Sequence, residues 1–236
     1  TFGGVFGQPD NEEFEVILDE EVKEEIDYLS LGKAMKKIRT SAGMTQEKAE
    51  QLIELASADT DFSQLPLDDS STYRIFQEAD TDGIYMMESE WDRYDLLQIR
   101  PANFDELAAT VVFSHGLAVN PYIYTYMKIL KVHPFTYPRF TELEKVNSIL
   151  SDTHGILLWK EQKEAILEYL DSMSEQEREQ NKYAIKIVLH EIELRGHLLS
   201  NRKFFRNRAL LCYKLAYIKA HNKDMFDKFV EQNLSE

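Results

Sequence analysis

The sequence lacks every feature that would place it in a membrane or an oxidising compartment. No apolar run approaches the length needed to span a bilayer, and no signal-peptide pattern opens the chain. A single cysteine, Cys212, cannot form an internal disulfide. It lies in an apolar helical run and reads as a small core residue, so a reducing cytoplasm is the expected compartment. Cations are scarce as well: 27 Lys and Arg stand against 42 Asp and Glu, a net charge of -15. That balance argues against nonspecific affinity for nucleic acid, which depends on neutralising phosphates. A chain opening on Thr1 rather than Met is expected to be trimmed or part of something longer. What is present is ordinary for a folded protein. Apolar residues make up 43% and aromatic residues 11% of 236, enough for one large domain or two small ones.

The scarce positive charge is concentrated. From Asp10 to Asp27 Lys23 is the only cation. From Arg195 to Lys223 there is no Asp or Glu, while Arg195, Arg202, Lys203, Arg206, Arg208, Lys214, Lys219 and Lys223 are all present. Such asymmetry gives the two ends of the chain opposite electrostatic preferences.

Periodicity predicts a mainly helical chain with small strand pairs. Phe14–Leu18 and Ile84–Met87 are the strand candidates, the second following the turn signal Asp80-Thr81-Asp82-Gly83. Helices are predicted over Glu21–Thr40, from Thr45, over Thr72–Glu78, Asp105–Val112 behind Asn103, Pro121–Leu130 and Phe140–Leu150. Further helices start near Leu158 and at Ser174, where Glu177 completes a capping box. The last is expected over Arg206–His221, with Ala209, Leu210, Tyr213, Ala216, Tyr217 and Ala220 on one stripe. His133–Pro138 reads as a loop.

Four collinear segments resemble the alpha subunit of bacterial DNA polymerase III. They are Leu65-Pro66-Leu67-Asp68-Asp69 with Thr72-Tyr73 and Phe76; Asp80 through Ser89 followed by Arg100-Pro101, Phe104-Asp105 and Leu107; Asp152-Thr153-His154-Gly155 through Glu161-Gln162; and Tyr213 through Lys219-Ala220-His221 and Phe226. A fainter match falls on Asp27–Leu31. In that family these segments follow the palm and build much of the helical fingers, which hold the incoming triphosphate and part of the template. The resemblance implies a DNA-facing or nucleotide-facing module with an incomplete palm remnant. Its expected organisation is an acidic arm over 1–26, a palm-remnant helical segment over 27–64 and a fingers-like helical domain over 65–236.

The resemblance also implies that nucleotidyl transfer fails. That chemistry needs two divalent metals clamped by several carboxylates. No Asp or Glu occurs from Tyr28 to Gln46, where the family's third catalytic aspartate would fall, and Lys36-Lys37-Ile38-Arg39 stands in its stead. Pro9-Asp10-Asn11-Glu12-Glu13 is similar to the family's upstream catalytic strand but lies too close to Asp27 and lacks the alternation of one strand face. The family's Tyr-Arg-Pro-Gly-Pro loop is Phe113-Ser114-His115-Gly116-Leu117, without its Arg. The family's basic segment after the third motif is replaced by the acidic Ser174–Gln180, and its Asn-Lys-Ser-His by Asn201-Arg202-Lys203-Phe204.

Other candidates are weaker. His190, Glu193 and His197 share a helix face at i, i+3 and i+7, but Gly196 interrupts it and no fourth ligand follows. The Asp80–Gly83 turn has Trp91 where a calcium loop needs a bidentate acid. Ser114 and His115 are adjacent, the wrong arrangement for a nucleophile and its base. Tyr122, Tyr124 and Tyr126 do not share a helix face. No catalytic or metal-ligating residue is therefore expected, and no cofactor, with Mg only for an active polymerase. Expected phosphate contacts are Arg202, Lys203, Arg206 and Arg208, with Lys219 and Lys160 as lesser candidates. The expected partners are DNA or a nucleotide, held weakly, or a basic protein docking on the acidic arm, with no membrane.

Overall fold

The computed structural model describes residues 43–115 and 143–234, all within the unit Ala42–Glu236. The expected strand Phe14–Leu18, the helices Glu21–Thr40 and Pro121–Leu130, the tyrosines of the latter and the loop His133–Pro138 lie outside the described residues.

Side-chain caps set most helix starts. Thr45 opens α1 (Gln46–Ala56) by accepting from the Lys48 amide at 3.2 Å. Asp69 opens α2 (Ser70–Gln77), accepting from both the amide and the hydroxyl of Thr72 at 2.7 Å. Ser89 and Asp92 form a reciprocal box at the start of α3 (Glu90–Ile99). Asn103 accepts from Glu106 at 3.0 Å and starts α4 (Phe104–His115). Past the short α5 (Glu144–Ile149) and a 3-10 turn at Ser151–Thr153 come α6 (Lys160–Ser172), α7 (Glu175–Gln180) behind its Ser174–Glu177 box, and α8 (Lys182–Arg195). Asn201 caps α9 (Arg202–His221), and α10 (Lys223–Leu234) follows directly.

The architecture is mainly helical, but the small strand pairs do not form: among the described residues the one β feature is an isolated parallel bridge between Trp159 and Ser200. Ile84–Met87 makes successive turns instead, with Ile84 N–H bonded to Thr81 O and Met87 N–H to Ile84 O, both at 3.0 Å. Left-handed residues at Gly83 (φ 75°) and Met86 (φ 62°) break the pleat that a strand requires. At Gly83 a Cβ would sit 2.6 Å from Val230 Cγ2, so the turn also needs the missing side chain.

The helix expected to be the last, α9, also differs from expectation and is followed by α10. It starts at Arg202 because Asn201 caps it, and its buried stripe runs through Phe205, Ala209, Cys212, Tyr213, Ala216 and Lys219, leaving Leu210, Tyr217 and Ala220 only half-buried. α9 is the central helix, packed against α1, α2, α4 and α10. Its Cys212 is a core residue as expected. The thiol donates to Tyr85 O at 3.1 Å, and burial pushes it up to about 12, so it stays protonated and inert.

The main core gathers α1, α2, α3, α4, α9 and Phe226. α4 is buried almost all round, from Leu107 through Ser114, as befits a helix sandwiched by others. A second core joins Leu143, Val146 and Leu150 to Ile166, Leu170, Ala184, Val188 and Ile192. Each fully buried apolar side chain contributes about 1.5–3 kcal/mol before the entropy of ordering is subtracted.

Candidate nucleic-acid interface

The residues of the four collinear segments meet in space, and most of them tie the fold together. Tyr213 donates its hydroxyl to Pro66 O at 2.7 Å and accepts from the Asp69 amide at 3.1 Å, while Tyr73 donates to Leu67 O at 2.7 Å. His221 bonds to Asp69 Oδ1 at 3.0 Å. Lys219, only 6% exposed, donates to Asp80 Oδ1 at 2.7 Å, to Asp80 O at 2.8 Å and to Asp82 O at 3.3 Å. Glu88 accepts from Met44 N–H at 2.7 Å and Gly83 N–H at 3.0 Å, and burial raises its carboxyl above the usual range despite those donors.

Asp69 illustrates the energetics. Burial pushes its carboxyl up, but bonds from Thr72 and His221 outweigh that and hold it below its ordinary 3.8. A depressed folded value means stability that is present above the unfolded value and lost as pH falls through the folded one. Asp69→Ala should therefore cost about 1–2 kcal/mol at neutral pH, through the lost cap. The gap to wild type should shrink below pH 3.8, as denaturant unfolding at two pH values will read.

The third segment closes on a buried glutamine. Gln162, 2% exposed, accepts from the Leu158 and Trp159 amides at 3.0 Å with its carbonyl. Its amide donates to Asp152 Oδ1 at 2.9 Å and Thr153 Oγ1 at 2.8 Å. His154 and Gly155 turn left-handed beside it (φ 52° and 83°), and His154 Nε2 meets Glu106 Oε1 at 3.2 Å.

The expected phosphate contacts divide into two sets. Across the Trp159–Ser200 bridge, Lys160 N–H bonds to Ser200 O at 3.0 Å and Glu161 accepts from the Arg202 amide at 3.2 Å. The bridge thus brings Lys160 beside the residues that open α9. There Lys203 and Lys160 are exposed and make no ion pair with the described residues. Arg202 is bound to Asp152 at 2.6 Å, and Arg206 to Asp105 with its guanidinium over the Phe104 ring. Arg208 donates to Tyr85 Oη at 2.7 Å and lies 4.4 Å from the Phe204 ring centroid. Lys219 does not join them: sixteen positions beyond Lys203 on one helix, it stands about 24 Å away along the axis and is occupied by the Asp80 turn.

Sequence reasoning missed the acids that hold these arginines, Asp105, Asp152 and Glu161, and the stacking of Arg208 on Phe204. The acids of the calcium-like turn are also engaged, Asp82 with Arg93 and Asp80 with Lys219. Ser114 donates to Asp95 at 2.8 Å and His115 lies 3.1 Å from Asp92, so both are tied to α3. His197 lies past the end of α8, which carries His190 and Glu193. No group of three His, Cys, Asp or Glu among the described residues is placed to hold a metal, and no helix among them is long and apolar enough to cross a membrane.

A mainly helical module, with Lys160 and Lys203 exposed beside one helix start, is the class these observations define. The bacterial DNA polymerase III alpha subunit finger domain matches residues 33–190, and the chain belongs to that family. The match reaches further toward the N-terminus than the four segments do, and it ends before α9, so the fourth segment lies beyond it. Among individual proteins, the chain is 33% identical over 117 residues to the DNA polymerase III subunit alpha of Aquifex aeolicus (strain VF5), covering 48% of this chain and 10% of that protein. It is 27% identical over 110 residues to the DNA polymerase III subunit alpha of Staphylococcus aureus (strain Mu50 / ATCC 700699), covering 43% and 9%. The chain thus spans about a tenth of the length of these curated relatives.

Proposed function

We propose that this chain holds DNA by its phosphates, at the start of α9, as a fingers-family module that does not itself carry out nucleotidyl transfer. One observation carries the reading. The Trp159–Ser200 bridge brings Lys160 to the start of α9, where Lys203 is exposed as well; neither is paired with the described acids, and the stretch of Lys203 from Arg195 to Lys223 holds no Asp or Glu. Arg202 and Arg206 spend much of their charge on Asp105 and Asp152, so the contact is a modest one with a correspondingly shallow salt dependence. Lys219 supports the fold rather than the contact. The cytoplasm is the compartment this role requires.

The absence of transfer chemistry is supported by the missing carboxylates between Tyr28 and Gln46 and by the commitment of Asp69, Asp105, Glu106 and Asp152 to amides, arginines and histidines. Binding of single-stranded DNA followed across a salt series tests the contact. Lys203→Ala and Lys160→Ala should each flatten the log–log slope by about 0.7. Binding that is undetectable at low salt, or slopes that do not change, would rule the contact out.

A further inference from the structure

We infer that the exposed face of α8 pairs antiparallel with the same face of a second copy of this chain; the inference is independent of the DNA-holding reading. α8 is apolar on two sides. One side, with Ala184, Val188 and Ile192, belongs to the second core. The other carries Tyr183, Ile187, His190 and Leu194 at i, i+4, i+7 and i+11, the spacing of a helix–helix seam. Tyr183 is 72% exposed, Leu194 is 54% exposed and Ile187 is half-buried. This stripe runs about 17 Å along the helix, roughly three turns. A helix apolar on both sides is expected to be covered on both.

Charge selects the occupant. The chain as a whole carries -15 and repels a second copy of itself, but α8 holds Lys182, Lys186 and Arg195 against Glu191 and Glu193. Here two copies can approach without that penalty. Lys182 is paired with Glu179, and Arg195 with Glu191 at 2.8 Å. Lys186 and Glu193 are exposed on one flank of the stripe and make no ion pair with the described residues. An antiparallel alignment centred between Val188 and Leu189 sets Tyr183 against Leu194 of the second copy and Ile187 against its His190. The same alignment brings Lys186 within one residue of Glu193 of the second copy, and symmetry repeats the contact. That flank borders a groove floored by Leu167, Leu170, Ile185 and Leu189, which leaves room for the two long side chains to meet. A parallel alignment would set Lys186 against its own counterpart. A partner peptide of one sign would satisfy one of the two charges and oppose the other.

Sedimentation equilibrium of the full chain, without DNA, tests this directly. The mass should rise from 27.6 kDa toward twice that value as the concentration increases. A single three-turn stripe per copy makes a small interface, so half-conversion is expected at about 10–100 μM. Lys186→Glu and Glu193→Lys each place like charges at both contacts, and each should raise that midpoint about tenfold. An equimolar mixture of the two variants has opposite charges at both contacts again and should dimerise as wild type does. Both substitutions are on exposed positions, and recovery in the mixture shows that each variant is folded. A chain that stays monomeric at about 1 mM would overturn the pairing and leave the face to a different protein. A dimer that ignores both charge reversals, or a mixture that does not recover, would overturn the assignment to α8.

Discussion

Replacing Gln162 by leucine is expected to lower the melting temperature by roughly 10 °C. Leucine fills much of the same space, so the cost is polar. The carbonyl leaves, and the Leu158 and Trp159 amides lose their acceptor inside the protein. The amide leaves too, and with it the donors to Asp152 and Thr153. Each buried group stranded in this way costs about 1–3 kcal/mol, and a total of about 3–5 kcal/mol corresponds to that shift for a domain of this size. Gln162→Glu sharpens the test. It keeps an acceptor for the two amides but faces Asp152 with a second carboxylate, so its destabilisation should ease as pH falls and the introduced glutamate protonates. A leucine variant that melts within two degrees or so of wild type would mean that these bonds are not made in solution.

The second large effect is expected at Lys219. Its ammonium is buried against the Asp80 turn, with its charge over the Phe226 ring at 5.5 Å. Lys219→Met keeps the aliphatic stem but leaves the carbonyls of Asp80 and Asp82 without their donor. Breaking a buried charged pair costs about 3–5 kcal/mol. Asp80 is half-exposed and can return to water, so about 2–3 kcal/mol is the expected loss here. The salt slope of DNA binding should not move. A change in slope with no change in stability would give Lys219 the phosphate role that its charge alone suggests.

Much of the helical scaffold was readable from local chemistry. Thr45, Asn103 and Ser174 announce the starts of α1, α4 and α7 because each offers an oxygen to an amide three residues on. α3 carries a weaker signal because its box pairs Ser89 with Asp92, the shorter acid, rather than with Glu or Gln. α9 starts at Arg202, four residues before the expected Arg206. Its first turn, Arg202-Lys203-Phe204-Phe205, has no apolar period, and only Asn201 marks it. The Ile84–Met87 turns looked like a strand because apolar residues near a Gly say nothing about a left-handed Met86.

The site was half legible for a different reason. A cluster of cations is visible in any stretch free of acids, but what each cation does depends on residues far away in the chain. Arg206 meets Asp105 across 101 positions, and Lys219 meets Asp80 across 139. No periodicity carries that information. The bridge that brings Lys160 to the start of α9 is likewise a single contact between two segments with no strand pattern of their own.

The most direct test of the account is a gel assay on a labelled primer–template with magnesium and all four deoxynucleotides. A retarded complex that weakens with added salt, carrying a primer of unchanged length, is the predicted outcome. A lengthened primer would place nucleotidyl transfer in this chain, and no retarded complex at low salt would remove DNA from its function.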